Sequence, residues 1–591
     1  MKKQWWHRTV GYQIYPKSFQ DTNGDGIGDL QGVIRHLDEI AALGANVIWL
    51  CPVFPSPMAD NGYDVSDYMD IDPCFGNMDD MKELIAKAKE RGIRILMDLV
   101  ANHSSDQHEW FRKALQDPYG EYGQYFVFRE GKAGGPPNNW RSIFGGSAWE
   151  QVPGREGLYY LHLFTKQQPD LNWENPKLRE EIYQIIRDWM ALGLGGFRLD
   201  AISHLKKNYE YADLPPDGPD GLCLAFEDIN NVDGLSAFLK EMKEKAFAPT
   251  DALTIGEYDN MKPEDVEDVI GENGSFSSIF DFSHTHHNVS YPEWNYDTVS
   301  MFNDYRDKLF KAQQVVGGRG LLCNFLENHD KDRCIDRFLA KKDQNRYSIR
   351  MLPVTNFFFP GIVFLYQGQE IGMRDYPKKS MDEYVDGPTH AEYEAFLEKG
   401  LTPEEALSRI NGASREHSRT PMQWDGSENA GFTTGKPWFA VNPNYTWLNY
   451  EAQEKDPDSL LRFYRQMVSV RKRPDLEETF IYGELIPRWQ DRSGILAYER
   501  YDGRNRLLII TSALPKEAIL SFAETDEEAV QMVEEVLLNN YEEPPSFKRE
   551  LMIRPWECLV LKLGSVKERE GQRRSEALGR MGRNGDGPFP R

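Results

Sequence analysis

In this 591-residue chain, ionisable side chains collect at the ends of apolar runs. Asp98 closes Ile95-Leu96-Met97 and is followed by Asn102-His103. Arg198 and Asp200 belong to Gly196-Phe197-Arg198-Leu199-Asp200. Glu257 closes Leu253-Thr254-Ile255-Gly256, and Glu327-Asn328-His329-Asp330 follows Phe325-Leu326. Several carboxyls, an arginine and two histidines are the equipment of acid–base and nucleophilic chemistry. Arg198 lies two residues from Asp200, hence on the same strand face, where it would hold Asp200 ionised. Glu257 ends an apolar strand, where partial desolvation would raise its pKa and keep it protonated as an acid. One polar strand end is usually just solvated; four that share a rim need another explanation.

Such a rim requires a barrel. Apolar strand-length runs at 10–19, 47–54, 93–100, 196–202, 253–257, 278–282, 321–326 and 362–366 make eight strands, and helical patterns separate them. After the first strand, Val33, Ile34, Leu37, Ile40 and Ala41 share a helix face that stops at Gly44. Helix 78–91 stops at Gly92. A further helix has Asn175 as its cap, Pro176 in its first turn and Gly193 as its stop. Continuous apolar strands alternating with helices indicate a parallel sheet buried on both faces. Eight of them predict an α/β fold, a closed (β/α)8 barrel with its active site at the strand C-terminal ends. Residues 1–103 and 172–480 are assigned to the barrel. Residues 104–171, aromatic and Gly-rich, read as an insertion after the third strand. Residues 481–564 read as a C-terminal antiparallel β-sandwich with a hairpin turn at Asp502-Gly503. The Arg-rich segment 565–591 reads as a disordered tail.

Composition narrows the partners. With 69 Lys and Arg against 94 Asp and Glu, the net charge is −25, which argues against a nucleic-acid backbone or an anionic membrane as partner. The hydrophobic fraction of 40% excludes a disordered chain. No apolar run is long enough to span a membrane or serve as a signal peptide. The six scattered cysteines, with no C-x-x-C pair, read as reduced core thiols. The expectation is a cytoplasmic monomer that binds a small molecule.

Asp98-Leu99-Val100-Ala101-Asn102-His103, Gly196–Asp200, Gly256-Glu257 and Asn328-His329-Asp330 resemble the four signature regions of the α-amylase superfamily of glycoside hydrolases. Gln168-Pro169-Asp170-Leu171-Asn172-Trp173 resembles the fifth region in the form typical of oligo-1,6-glucosidases. The stretches at 62–68, 365–370 and 415–424 point the same way. The resemblance implies a retaining, exo-acting α-glucosidase acting on short α-glucosides such as isomaltose. It makes Asp200 the nucleophile, Glu257 the general acid and base, and Asp330 the third carboxylate. His103 and His329 become hydroxyl donors to glucose, and Asp98 a partner that orients Arg198. It also makes Asp60 and Arg415 the pair closing the first subsite, and Tyr63 the platform beneath the sugar ring. Retention itself requires two carboxyls about 5–5.5 Å apart.

Asp21-Thr22-Asn23-Gly24-Asp25-Gly26-Ile27-Gly28-Asp29 places oxygen ligands at alternate positions. Gly32 stands where an EF-hand needs Glu, so this is no EF-hand. It resembles the single-ion loop of oligo-1,6-glucosidase relatives, which implies a structural Ca2+ or Mg2+ held by Asp21, Asn23, Asp25, Asp29 and the Ile27 carbonyl. His284-Thr285-His286-His287 lacks zinc-ligand spacing and is expected to be a rim loop near the leaving-group side.

Three positions depart from the resemblance: Ala201 after the nucleophile position, Tyr258-Asp259-Asn260 after Glu257, and Lys331-Asp332-Arg333 after Asp330. They leave linkage preference open. They also admit a trehalose-6-phosphate hydrolase, for which Lys206, Lys207, Lys331 and Arg333 would be the phosphate-binding candidates, or a sucrose isomerase. A non-catalytic scaffold on the same fold is disfavoured, because the three carboxylates are present and no membrane anchor is.

Overall fold

A computed structural model of the chain describes residues 2–132, 134–285, 297–521, 533–547 and 550–564. The segment 565–591, expected to be a disordered tail, lies outside them. Eight parallel strands close a barrel in chain order: β1 (Val10–Ile14), β2 (Val47–Leu50), β3 (Arg94–Val100), β4 (Gly196–Asp200), β5 (Leu253–Glu257), β6 (Ser278–Phe280), β7 (Leu322–Asn324) and β8 (Ile362–Tyr366). β1 closes the ring by pairing with both β2 and β8, Gly11 opposite Val47 on one side and Phe364 on the other.

Both faces of the strands are apolar for different reasons. Trp49 of β2 meets Phe280 of β6 at 5.1 Å and Phe364 of β8 at 6.2 Å. These strands are not neighbours, so the rings fill the barrel interior together with Leu96 and Ile255. The alternate residues Ile48, Leu50, Ile95 and Met97 belong to the outer cluster that packs on the helices. Helix Pro176–Ala191 buries Leu178, Ile182, Ile185, Ile186 and Trp189, and the Asn175 side chain accepts a hydrogen bond from Lys177 N–H at its start. The first helical stripe is broken at His36 into Leu30–Arg35 and Leu37–Leu43, and Gly44 ends it with φ of 91°.

Several strands are shorter than their apolar runs. The expected 10–19 strand stops at Ile14, because Pro16, which lacks an N–H, opens a tight turn at Pro16–Ser18. The expected 196–202 strand stops at Asp200, because Ala201 turns left-handed with φ of 46°. β4 also begins under constraint: Gly196 has φ of +144°, and a Cβ there would stand 1.9 Å from the Leu253 carbonyl oxygen.

After β3 come helix Glu109–Gln116 and a small antiparallel sheet of Phe128–Glu130, Leu158–Leu161 and Trp149–Gln151. Its core of Trp140, Trp149, Leu161 and Leu163 also takes Tyr211, Ala225 and Ile229 from the segment that follows β4. The C-terminal region forms a five-stranded antiparallel sheet, and Ala518–Ser521 pairs with Glu550–Ile553 beside it. The hairpin about Asp502-Gly503 pairs Ile495–Tyr501 with Arg506–Ser512. Among the described residues the six cysteines are free, and no helix is long and apolar enough to cross a membrane.

Candidate active site

β3, β4 and β5 lie side by side, with Asp98 opposite Arg198 and Arg198 opposite Ile255. That register puts Asp98, Asp200 and Glu257 around one fully buried guanidinium. Arg198 Nη1 donates to Asp98 Oδ1 (2.8 Å) and Oδ2 (3.1 Å) and to Asp200 Oδ1 (2.8 Å). Its Nη2 donates to Glu257 Oε2 at 2.6 Å. The Trp49 ring lies 5.0 Å from the guanidinium, and Trp49 Nε1 donates to Asp98 Oδ2 at 3.1 Å. The left-handed turn at Ala201 aims its N–H at Glu257 Oε2, 3.2 Å away.

This sharing corrects one expectation. Arg198 was expected to hold Asp200 ionised, with Asp98 orienting the guanidinium, but it is divided among three carboxyls, Glu257 included. Burial outweighs its pull and pushes Asp200 up to about 7 and Asp98 to about 6. Burial also raises Glu257 to about 7, against the same pull from Arg198. One cation against three buried carboxyls leaves the trio holding a proton near neutrality. Asp200 Oδ2 and Glu257 Oε1 accept no hydrogen bond from the described residues, which leaves one oxygen of each for a ligand.

Asp330, just beyond β7, sits in the opposite electrostatic setting. Its Oδ1 accepts from Arg415 Nη1 (3.1 Å) and Arg419 Nη2 (2.8 Å), and His329 Nε2 stands 3.0 Å from Oδ2. Burial opposes its ionisation, yet these neighbours hold the carboxyl well below the usual range. Burial lowers His329 to about 4, so the imidazole is neutral at pH 7 and the two arginines supply the stabilising charge there. Gln13 Nε2 donates to His329 Nδ1 at 2.8 Å, which fixes the remaining proton on Nε2. The Tyr63 ring stacks on His329 at 5.3 Å, and its hydroxyl bridges His329 Nε2 and Asp98 Oδ2.

Arg415 closes one end of the pocket. Its Nη2 donates to Asp60 Oδ1 (2.9 Å) and Asp386 Oδ1 (2.7 Å), and its Nε to Asp386 Oδ2 (2.9 Å). Gln168 Nε2 holds the other Asp60 oxygen at 3.0 Å and lies the same distance from His103 Nε2. Asp60, Tyr63, His103, Asp200, Glu257, Asp330 and Arg415 line a single cavity of about 360 Å3. Arg198 and His329 lie outside that lining and brace it. Asp386 was not legible as a site residue: Asp386-Gly387-Pro388 reads only as a helix start, and Asp386 does cap helix Gly387–Glu398. Phe144 and Phe164 also line the cavity, from loops without periodicity, as does Phe282, the end of the 278–282 apolar run, two residues beyond the observed end of β6.

Of the four cations considered for phosphate, only Lys331 lines the cavity. Lys206 is paired with Glu174. Lys207 is buried between Asp170 (2.9 Å) and Asn102 (2.8 Å). Arg333 is buried against Glu327 (2.9 Å) and the Gln367 carbonyl (2.8 Å). His284 is buried with Nε2 3.1 Å from the Phe325 carbonyl oxygen, and His286 and His287 lie outside the described residues.

In the 21–29 loop the oxygens cap backbone amides. Asp21 Oδ1 accepts from Asn23 and Gly24, Asn23 Oδ1 from Asp25, and Asp25 Oδ1 from Ile27. Asp29 Oδ1 caps the next helix at Gly32, and its Oδ2 takes Thr22. Among the described residues no group of three or more His, Cys, Asp or Glu side chains is drawn together as a metal cluster. The donor set is all oxygen, the chemistry a hard cation requires, but both Asp21 oxygens already accept two hydrogen bonds each, from Asn23, Gly24, Gly26 and Thr433, and Asp29 Oδ2 takes both the N–H and the hydroxyl of Thr22, so Asp25 Oδ2 is the carboxylate oxygen here that accepts none from the described residues.

A closed parallel barrel with this carboxyl-rich rim defines the class. Residues 13–479 match the family described as alpha amylase, catalytic domain. The chain belongs to that family of glycoside hydrolases and is an enzyme. It is similar to the oligo-1,6-glucosidase of Parageobacillus thermoglucosidasius, with 38% identity over 573 residues, 95% of this chain and 100% of that one. Among solved structures it is similar to the trehalose-6-phosphate hydrolase of Bacillus licheniformis (34% identity, TM-score 0.85). It is also similar to the isomaltulose synthase of Klebsiella sp. LX3 (33% identity, TM-score 0.88). Each likeness covers 95% of this chain and 100% of the other.

Proposed function

We propose that the protein is a retaining, exo-acting α-glucosidase that hydrolyses terminal α-glucosidic bonds, α-1,6 foremost, of isomaltose and short α-gluco-oligosaccharides. The observation that carries this reading is the pairing of Asp200 and Glu257 on one guanidinium, in a cavity closed at one end by Arg415 with Asp60 and Asp330. Two carboxyls on the same arginine support the short separation of the retaining class.

In the first step the free oxygen of Asp200 attacks the anomeric carbon. Glu257 gives its proton to the glycosidic oxygen, and the leaving sugar departs as an alcohol. In the second, the Glu257 carboxylate takes a proton from water, whose oxygen attacks the same carbon and releases Asp200. The ionised Asp330 favours the positive charge that builds on the sugar between these steps. His103, in the cavity lining, faces the glucose hydroxyls; His329, expected to donate to them as well, instead turns its one N–H to Tyr63 and Asp330 and braces them, and Tyr63 lies beneath the ring. Asp60, Arg415 and Asp386 admit one terminal glucose and no chain beyond it. The 21–29 loop is read as a structural Ca2+ or Mg2+ site away from the chemistry. The buried free thiols support a cytoplasmic setting.

A trehalose-6-phosphate hydrolase or a sucrose isomerase is the second reading, supported by the solved structures above and by Lys331 in the cavity. Glucose release from isomaltose, maltose, sucrose, trehalose and trehalose-6-phosphate, beside Asp200→Asn, decides between them. Isomaltose should rank first and its turnover should vanish in the variant. A preference for the phosphorylated sugar, or isomeric products from sucrose, would replace the reading, and no turnover of any α-glucoside would remove it.

A further inference from the structure

Two charged side chains in the cavity take no part in the steps above. β5 ends at Glu257, and the chain continues through Tyr258 to Asp259, beyond the proposed proton donor. Asp259 and Lys331 both line the cavity, with Ser203 and Phe282. The backbone at 259 is pinned on both sides: its N–H donates to Ser203 Oγ at 3.1 Å, and its carbonyl accepts from Asn231 Nδ2 at 2.6 Å. Lys331 Nζ lies 5.6 Å from the Phe282 ring centre. Neither the Asp259 carboxylate nor the Lys331 ammonium makes a hydrogen bond or ion pair with any described residue, whereas the other cations near this side, Lys206, Lys207 and Arg333, are tied to carboxylates.

Opposite charges that share a cavity wall without pairing leave a space to be bridged. A sugar hydroxyl both donates and accepts, so vicinal hydroxyls can donate to Asp259 while accepting from Lys331. A phosphate cannot do this. It gains Lys331 but meets Asp259, with Glu257 and Asp281 close behind it as the neighbours that, after burial, push the Asp259 carboxyl up to about 7. Phosphate sites usually offer an arginine fork or several cations, and one ammonium among three carboxyls is a poor substitute.

We propose that Asp259 and Lys331 are the specificity-determining pair of the leaving-group subsite: they bind an uncharged sugar by its hydroxyls, and Asp259 excludes a leaving group that carries a phosphate. The proposal rests on the glucosidase reading and names the leaving-group class for it.

The test compares kcat/KM for isomaltose and trehalose-6-phosphate at pH 7.5 in the wild type, Asp259→Asn and Lys331→Gln, with 4-nitrophenyl α-glucoside as a reference. Asp259→Asn should raise the trehalose-6-phosphate to isomaltose ratio about tenfold, the effect of removing one charge at close range in a partly screened site. Lys331→Gln should lower the same ratio. Opposite signs from two neutralising substitutions cannot come from a general loss of structure. An unchanged ratio in Asp259→Asn or shifts of the same sign in both variants would each overturn the proposal while isomaltose turnover keeps the glucosidase reading, whereas a wild type that prefers the phosphorylated sugar would overturn both. No turnover of the nitrophenyl glucoside or isomaltose would overturn both.

Discussion

Asp200→Asn should stabilise the protein as it abolishes turnover, and the gain should grow with pH. Asp200 shares Arg198 with Asp98 and Glu257, and burial raises its carboxyl from 3.8 to about 7. In the unfolded chain the same group titrates near its ordinary value of about 3.9. The folded protein therefore holds this proton more tightly than the unfolded chain does. Below about pH 4 both states are protonated and the charge costs nothing. Between about pH 4 and pH 7 stability falls as the pH rises, and above 7 the full penalty applies. Three pH units at 1.36 kcal/mol each give about 4 kcal/mol. The amide loses the charge-assisted part of the bond to Arg198, which takes back about half and leaves ~2 kcal/mol. At ~2.1 cal/mol/K per residue over a chain of this length, that is a Tm rise of ~2 °C. Thermal unfolding of wild type and variant, followed by circular dichroism at one scan rate from pH 5 to 9, measures it. The Tm difference should be near zero or negative at pH 5 and about +2 °C at pH 8. A difference that stays flat, or shrinks with rising pH, would refute the idea that one arginine leaves three carboxyls under-neutralised.

Three further outcomes follow from named contacts. Ala201→Val puts a β-branched residue at φ of 46°, a conformation such residues tolerate less well than Ala does, and should lower Tm, while its added bulk in the cavity lining shifts the isomaltose to maltose ratio; unchanged values of both would show that this position does not shape the pocket. Lys207→Met breaks the buried pair with Asp170 and should cost about 3–5 kcal/mol in urea unfolding, most of which Lys207→Met with Asp170→Leu recovers; equal losses in single and double variants would count against a buried charge as the cause. If the 21–29 loop holds a cation, EDTA should lower Tm and added Ca2+ restore it with kcat unchanged, and a Tm indifferent to both would remove the ion.

What was legible in the sequence followed periodicity. A strand buried on both faces is a continuous apolar run, so the eight runs and the polar residues that end them stand out, and the barrel rim follows. Strand lengths were overestimated where backbone rules end a strand before the apolar residues do, at Pro16 and at Ala201. Cross-strand neighbours are harder to read. Arg198 and Asp200 are visibly on one strand face, but the register that sets Asp98 directly opposite Arg198 and brings Glu257 within 2.6 Å of it belongs to the folded barrel. That register turns an expected ion pair into a shared cation. Asp386, Phe144 and Phe164 come from loops whose positions follow from packing against distant segments, and no local pattern announces them as site residues.

The charge inventory of the cavity links the site to its chemistry. Asp60, Asp98, Asp200, Glu257, Asp330 and Asp386 face three arginines, 198, 415 and 419, and the two histidines braced against them are neutral at pH 7 because burial lowers both to about 4. Such a site is short of positive charge. That shortage fits the proposed reading, in which the sugar becomes positive as it reacts and carboxylates already in place stabilise it without reorganisation. The two halves of the site divide that work. Two arginines fix Asp330 as a permanent anion, while the single shared Arg198 leaves Asp200 and Glu257 close enough in proton affinity for one proton to serve both. On the glucosidase reading proposed above, moving an arginine from one half to the other should keep the total charge and lose turnover, because a fully paired Glu257 would not hold a proton to donate and an unpaired Asp330 would take one up.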